Sequence, residues 1–264
     1  MIRALFFDVD GTLVSFDTHR VPDSAREALA EAHARGVKVF IATGRPFASL
    51  GVVAGLPCDG IVSLNGAECL LPDGGRIASV PIPPAEFARA LAAARRFGFP
   101  VMLELNEGMF VDRLTPEVVE FARQVDLPVP AEADLQELYG RYACCQMCFF
   151  VGPGLEPEVM AEVPALEAAR WSPLFVDVNV RGVNKAEGAA VFASRFGFSM
   201  AEAMAFGDGG NDAPLLRAAG IGVAMGNACD EARRAADYVT ASVDDNGVRR
   251  ALEHFGVIGR GNRT

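Results

Sequence analysis

The chain has 264 residues, 51% hydrophobic and 22% charged, which is enough for a sizeable core and excludes disorder or a small disulfide scaffold. Its formal net charge of −10 disfavours a nucleic-acid partner bound through a broad basic face but allows a small anionic ligand. The six cysteines are irregularly spaced, and no segment approaches the roughly 18 unbroken apolar residues of a membrane span. We therefore expect a cytoplasmic protein with no membrane partner.

The first part of the chain alternates short apolar strands with helices. A strand at 2–7 is followed by a helix at 22–35, which ends before Gly36, and by a second strand at 37–42. After residue 183 the same alternation returns, with helices at 185–196, 213–219, 228–236 and 247–255 and strands at 203–206, 221–225 and 238–241. Nearly continuous apolar strands joined by helices predict an α/β fold with a Rossmann-like parallel sheet as its core.

The middle of the chain has a different pattern, in which helices and hairpins are mixed. Helices are predicted at 84–97 and 116–125, a hairpin across 101–111, and strands near 143–151 and 174–180. This pattern predicts an α+β domain at 82–182, inserted into a core built from 1–81 and 183–264. Hinges are expected at 81–84 and near Gly182. Cys145 and Cys148 have no accompanying ligand pair and are predicted to be buried core thiols.

Two carboxylates follow the first strand closely, in the segment Phe6-Phe7-Asp8-Val9-Asp10-Gly11-Thr12. The strand period of two places Asp8 and Asp10 on one side with their Cα atoms about 6 to 7 Å apart, and ligands bind at the carboxyl ends of parallel strands. An ordinary turn accounts for Asp10, but Asp8, predicted to lie still within the strand, is costly to bury unless a cation or donor compensates it. The pair therefore favours a functional site.

Further polar segments occur at other strand ends and at a helix start. Thr43 and Gly44 follow the second strand and offer a hydroxyl and backbone N–H groups to a phosphate, although such turns are also common without a ligand. In the loop 207–212, Asp208 and Asp212 supply hard oxygen ligands suited to Mg²⁺, while helix capping alone explains Asp212 but not Asp208. Lys185 at a helix start opposes the helix dipole, which a phosphate partner would explain. The only other lysine, Lys38, is predicted to be a solvated flanking residue.

In this order, the acid pair, the hydroxyl, the lysine and the acidic loop resemble the four motifs of the haloacid dehalogenase superfamily of phosphotransferases. The inserted domain lies between the second and third motifs, and the segment 63–67, Ser-Leu-Asn-Gly-Ala, follows the strand before it. Both features resemble the Cof-type branch, whose members are mostly Mg²⁺-dependent phosphatases with an α+β cap over the site. The resemblance implies a phosphatase acting on a small phosphorylated metabolite such as a sugar phosphate. A phosphosugar mutase and a non-catalytic phospho-acceptor switch are the alternatives.

The resemblance also implies roles for individual residues. Asp8 would be the nucleophile that forms an aspartyl-phosphate, and Asp10 the general acid and base. Mg²⁺ would be held by Asp8, the backbone carbonyl of Asp10 and Asp208, with Asp212 orienting a metal-bound water or Lys185. The predicted phosphate- and substrate-binding residues are Thr43, Gly44, Arg45, Asn65, Lys185 and Asn211. Within the cap, strand alternation leaves open which polar or aromatic side chains face the substrate; the candidates are Glu104, Asn106, Asp112, Arg113, Trp171 and Asp177.

Overall fold

A computed structural model describes residues 1–170 and 172–259 of the chain. Within that part the strands are β1 (Ala4–Phe7), β2 (Lys38–Ala42), β3 (Gly60–Ser63), β4 (Glu68–Leu70), β5 (Arg76–Ser79), β6 (Val101–Leu105), β7 (Gly108–Val111), β8 (Ala131–Glu132), β9 (Met147–Phe149), β10 (Leu166–Ala169), β11 (Val176–Val180), β12 (Ala203–Gly207), β13 (Ile221–Ala224) and β14 (Tyr238–Val239). The α-helices are α1 (Asp23–Ala34), α2 (Pro84–Phe97), α3 (Pro116–Gln124), α4 (Leu135–Arg141), α5 (Glu156–Ala161), α6 (Lys185–Phe196), α7 (Ala213–Ala218), α8 (Asp230–Ala235) and α9 (Gly247–His254).

The first sheet has eight strands in the order β14-β13-β12-β1-β2-β3-β4-β5. Neighbouring strands from β14 to β3 are parallel, whereas β4 and β5 form an antiparallel edge. The α/β fold with a parallel core is therefore confirmed, with the addition of this antiparallel edge. Strand β1 lies near the middle of the sheet, between β12 and β2, so its carboxyl end opens between two neighbouring strand ends.

Helices cover both faces of the first sheet because its strands are apolar on both sides. Leu5 and Phe7 of β1 pack towards α1 and α9, while Ala4 and Phe6 pack towards α6, α7 and α8. These four strand side chains are fully buried. A strand buried on both faces has no solvated side, which is why it reads as an unbroken apolar run in the sequence.

The second sheet has six strands in the order β10-β11-β9-β6-β7-β8 and lies wholly within the segment predicted as an insertion. Its side chains alternate between two faces: Leu103, Met147 and Val178 pack on the side of α2, α4 and α5. Met102 and Cys148 point to the other side, where they pack with α3. One face of the second sheet is therefore covered by α2, α4 and α5. The opposite face is turned towards the first sheet and is partly covered by α3.

Several predicted elements differ from those observed. The strand near 143–151 is restricted to β9, since residues 143–146 are not in strand, and α4, α5, β8 and β10 were not predicted. Cys145 and Cys148 are buried, as predicted. Lys38 is half-exposed but forms an ion pair with Asp59 at 2.7 Å, so it is not merely solvated. Over the described residues, no helix is both long enough and apolar enough to cross a membrane.

Candidate active site

Asp8 and Asp10 lie at the carboxyl end of β1, in the middle of the first sheet. The strand ends at Phe7, so Asp8 follows the strand rather than lying within it, but the Asp8 N–H still donates to the Phe206 carbonyl at 3.0 Å. The chain then turns through Gly11, whose φ of 79° lies in the left-handed region. A Cβ atom there would lie 2.2 Å from Oδ2 of Asp208, so Gly11 is required both for the turn and for the approach of the acidic loop.

Lys185 forms ion pairs with one carboxylate from each acidic segment, Asp8 after β1 and Asp212 after β12. Its side chain has no exposed surface, and its Nζ lies 2.6 Å from Oδ1 of Asp8 and 2.6 Å from Oδ1 of Asp212. The side chain of Asn184 caps α6 by accepting from the N–H groups of Ala186 and Glu187, which fixes the helix end that carries Lys185. Burial alone would lower the pKa of Lys185, but the two carboxylates outweigh it and hold that pKa above its ordinary value.

The carboxylates around Lys185 carry more negative charge than one ammonium group can balance. Burial raises the pKa of Asp8 from 3.8 to about 7, and the charges of Asp212 and Asp10 add to the effect while Lys185 opposes it. Burial also raises the pKa of Asp208 well above its usual range, with further contributions from Asp8 and Asp212. A cation beside these carboxyl groups would stabilise their charged forms.

The acidic loop after β12 is held by its own hydrogen bonds. Oδ2 of Asp212 accepts from the N–H groups of Asp208 and Gly209, at 2.9 Å each, while its Oδ1 binds Lys185. The Asp208 carboxylate accepts from the Thr12 hydroxyl at 3.2 Å. Asp212 therefore orients both the loop and the lysine, leaving Asp208 directed towards the end of β1.

The donor set fits a divalent cation. Asp8, Asp208 and Asp212 each offer a carboxylate oxygen, and these atoms lie within 4.8 Å of one another. Carboxylate oxygens are the ligands that Mg²⁺ prefers, and a cation would offset the charge excess that raises the pKa values of Asp8 and Asp208. Among the described residues, this group does not include the side chain of Asp10.

Arg45 is engaged by the protein rather than left open for a phosphate. Its Nε and Nη2 donate to the two carboxylate oxygens of Asp10 at 2.7 and 2.6 Å. Nη2 also donates to the Val125 carbonyl at the end of α3, and Nη1 to the Ser49 carbonyl. The two hydrogen bonds from Arg45 fix the orientation of Asp10, and the bond from Arg45 to Val125 links this pair to the residues that pack on the second sheet. The sequence did not indicate this arrangement.

The remaining predicted residues lie between the two sheets. Thr43 is buried, and its hydroxyl accepts from the Arg45 N–H at 3.1 Å. Asn65 has a left-handed φ of 55°, and its Nδ2 donates to Asp177 and to Gln146 at 3.0 Å each. Its Oδ1 accepts from Asn211 at 2.9 Å. Asn65 and Asn211 therefore belong to a network that joins the sheets.

A cavity of about 660 Å³ opens above these residues. It is lined by Asp8, Asp10, Phe16, Thr43, Gly44, Arg45, Pro46, Glu104, Phe121, Val125, Arg170, Ser172, Asp177, Asp208, Gly209, Gly210, Asn211, Asn227, Cys229, Asp230 and Glu231. The structure thus brings together Asp8, Asp10, Thr43, Gly44, Arg45, Asn211 and Asp208 at one opening, with Lys185 and Asp212 beneath it and Asn65 beside it.

Two of the six cap candidates, Glu104 and Asp177, line the cavity, and three others do not. Asn106 donates to Glu68 at 3.1 Å, Asp112 accepts from the Val101 N–H at 2.8 Å, and Arg113 lies beside Asp112. The prediction for Trp171 falls outside the described residues. Sequence reasoning missed Gln146, although a single amide within the apolar run 143–151 was a usable sign, and it missed Arg170 and Phe121, for which no local pattern pointed to the cavity.

Comparisons with known proteins agree with this geometry. The family model of haloacid dehalogenase-like hydrolases matches residues 5–252. The structure of the phosphatase BT1666 from Bacteroides thetaiotaomicron is 50% identical with a TM-score of 0.93, covering 98% of this chain and 96% of that one. The subclass IIB sugar phosphatase BT4131 is 40% identical with a TM-score of 0.91, covering 97% of this chain and 100% of that one. The 5-amino-6-(5-phospho-D-ribitylamino)uracil phosphatase YcsE of Bacillus subtilis (strain 168) is 28% identical, covering 96% of both chains.

A parallel sheet with an acid pair at its central strand end, a buried lysine and a second acidic loop defines a phosphotransferase-type α/β protein. The chain belongs to the haloacid dehalogenase-like hydrolase family. Within that family it is a phosphatase of the Cof-type branch, since its similar structures include a subclass IIB phosphatase. The family resemblance inferred from the four sequence motifs is thereby confirmed.

Proposed function

We propose that this phosphatase is Mg²⁺-dependent and hydrolyses a small phosphorylated metabolite, a sugar phosphate, through an aspartyl-phosphate on Asp8. The observation that carries the proposal is the buried Lys185, bonded at 2.6 Å to both Asp8 and Asp212 beneath a 660 Å³ cavity. A cavity of this volume suits a small metabolite. The similarity to a sugar phosphatase supports the same substrate class.

Each residue has a defined part in this scheme. A carboxylate oxygen of Asp8 attacks phosphorus, the bond to the leaving alkoxide breaks, and Asp10 gives that alkoxide a proton. Water then attacks the aspartyl-phosphate, Asp10 takes the proton of the water, and the Asp8 carboxylate and inorganic phosphate are released. Arg45 orients Asp10 through both of its oxygens, so the proton acceptor stays at the mouth of the cavity.

Charge stabilisation comes from the floor of the site. Lys185 holds Asp8 in place and opposes the rise in its pKa. The Thr43 hydroxyl, the Gly44 backbone, Lys185 and Asn211 bind the phosphoryl oxygens. Asp8, the Asp10 carbonyl, Asp208 and Asp212 would hold or orient Mg²⁺ and its water. When bound, the cation would offset the repulsion between Asp8 and the phosphate dianion.

We further propose that 82–182 is a cap that covers the substrate, joined at hinges near 81–84 and Gly182 to a core of 1–81 and 183–264. Several hydrogen bonds join these segments at the site, among them the bond from Asn65 to Gln146. The Val125 carbonyl accepts from Arg45, and Gln146 donates to the Gly44 carbonyl. Asp177 accepts from Asn65, and Asn179 donates to the Leu64 carbonyl. Closure of the cap would exclude bulk water from the aspartyl-phosphate.

The decisive experiment measures phosphate released from a broad panel of phosphorylated metabolites by the purified protein, with Mg²⁺ and with EDTA. We expect turnover with Mg²⁺, its loss in EDTA, and its recovery when Mg²⁺ is restored. Asp8→Asn should reduce kcat by at least about 10³-fold and abolish covalent labelling from a ³²P-labelled ester. Asp23→Asn, an exposed acid at the start of α1, makes the same chemical change away from the site. Failure to release phosphate from any ester, or full activity of Asp8→Asn, would overturn the proposal.

A further inference from the structure

The roof of the cavity carries carboxylates that the hydrolytic chemistry does not use. Glu104 on β6 and Asp177 on β11 project from the face of the second sheet that is turned towards the first, and they are 5% and 4% exposed. Gln146, the residue just before β9, donates through Nε2 to Oε2 of Glu104 and to the Gly44 carbonyl. Asp177 accepts from Asn65 at 3.0 Å. These contacts hold both carboxylates in place above the phosphate end of the site.

The basic side chains among the described residues that line the cavity are already engaged by the protein. Arg170 donates to the Glu156 carboxylate and to the backbone carbonyls of Ser172, Phe175 and Val151. Arg45 is bonded to both oxygens of Asp10 and to two backbone carbonyls. A guanidinium group has five N–H donors, so four of the five are committed on each arginine. Among the described lining residues these two are the only arginines or lysines.

The rest of the wall is apolar or acidic. Phe16, Phe121 and Val125 line one part of the cavity, and Asp230 and Glu231 line another. An apolar wall beside hydrogen-bond acceptors suits a sugar, which presents C–H groups on one face and hydroxyl donors at its rim. A carboxylate or a second phosphate on the same leaving group would meet these carboxylates, while both arginines among the described lining residues are already hydrogen-bonded to the protein.

We propose that Glu104, with the charge of Asp177 beside it, makes the cavity select phosphate esters of uncharged, hydroxyl-rich alcohols and reject esters that bear a second anionic group. This inference rests on the proposed function and specifies its substrate class. Hydroxyl groups of the accepted leaving group donate to Glu104. Burial and the charge of Asp177 raise the pKa of Glu104 well above its ordinary value, so the two side chains share the negative charge. An added carboxylate about 6 Å from that charge is repelled strongly enough to lower kcat/KM by about 100-fold.

The test compares glucose 1-phosphate with glucuronic acid 1-phosphate, two pyranose esters that differ only in a hydroxymethyl group or a carboxylate at the far end of the leaving group. We expect the ratio of their kcat/KM values to favour glucose 1-phosphate by about 100-fold and to fall about tenfold in Glu104→Gln. Glu107→Gln, an exposed acid in the turn after β6, makes the same charge change outside the cavity and should keep the original ratio. Asp177→Asn is the second variant if circular dichroism shows that Glu104→Gln does not fold.

The outcomes separate this inference from the proposed function. Equal kcat/KM values for the two esters, or a ratio unchanged in both Glu104→Gln and Asp177→Asn, would overturn the role of the carboxylates while leaving a working phosphatase. A ratio that falls to the same extent in Glu107→Gln would show that overall charge, and not Glu104, sets the preference, and would also overturn it. Absence of turnover with every ester, p-nitrophenyl phosphate included, would overturn the proposed function and this inference together.

Discussion

Replacing Lys185 by methionine tests the electrostatic core of the site most directly. The side chain has no exposed surface and bonds to two buried carboxylates, so Lys185→Met removes the charge while keeping a similar volume. Breaking a buried ion pair on one side leaves uncompensated charge and costs about 3 to 5 kcal/mol. We expect that loss in the free energy of unfolding of the metal-free protein at pH 8. Urea denaturation in EDTA, followed by far-ultraviolet circular dichroism, measures it.

The pH dependence of this loss has a definite sign. Because the pKa of Asp8 is raised from 3.8 to about 7, the folded state binds more protons than the unfolded state between about pH 4 and pH 7. The stabilisation from that proton is therefore fully present below about pH 4 and is lost as the pH rises through 7. A protonated Asp8 needs no cation, so the destabilisation by Lys185→Met should be smaller at pH 5 than at pH 8.

Lys38 offers a matched control, since it is the only other lysine in the chain. Its ion pair with Asp59 involves a side chain that is 43% exposed, and solvent screens such pairs, so Lys38→Met should cost less than about 1 kcal/mol. The reasoning fails if the two substitutions have equal effects at pH 8. It also fails if the loss caused by Lys185→Met is as large at pH 5 as at pH 8.

Two further substitutions test the metal site. Asp208→Asn should weaken Mg²⁺ binding by at least about tenfold, measured by calorimetry and by the Mg²⁺-induced rise in Tm; an unchanged affinity would remove Asp208 from the site. Gly11→Ala should destabilise the protein by about 1 to 3 kcal/mol and weaken Mg²⁺ binding, because the added Cβ meets Asp208 at 2.2 Å in a left-handed turn. Gly36→Ala, at a similar φ with nothing within 4 Å of its Cβ, isolates the backbone strain, and equal effects of the two glycine substitutions on Mg²⁺ binding would contradict the steric explanation.

The elements predicted most accurately from the sequence are the helices whose ends are marked by residues typical of helix starts and helix ends. The observed bounds of α2 and α6 match the predicted ones at both ends, because Pro84 and Asn184 mark their starts and the left-handed Gly98 and Gly197 follow their last residues. Short elements such as α4, α5 and β10 were missed, since their seven, six and four residues give too little periodicity to distinguish a helix or strand from a loop. The antiparallel edge was missed because pairing direction is set by contacts between strands.

Sequence analysis identified those site residues whose burial or position would be unfavourable without a ligand. It was less successful for residues whose hydrogen-bond partners lie far away in the sequence. Asp8, Asp208 and Lys185 were each an expensive choice for an ordinary strand end or helix start, and the structure brings them together. Arg45 stood next to a phosphate-binding turn, but its pairing with Asp10 depends on the fold of two separate loops. In the second sheet, alternation divides the side chains into two faces, and only the packing of α2, α4 and α5 decides that Glu104 and Asp177 face the cavity.

The bond between Asp8 and Lys185 spans 177 positions of the chain, and this has a consequence for biosynthesis. A polypeptide elongated only through the second sheet already contains Asp8 and Asp10 but neither the lysine nor β12, which lies beside β1 in the finished sheet. Until those later residues leave the ribosome, β1 has one open edge and its carboxylates have no ammonium partner. Contacts between residues so distant in sequence form slowly, so the open apolar edge of β1 is exposed to aggregation while the chain is being synthesised. The active site is complete only after Lys185 and β12 have been synthesised.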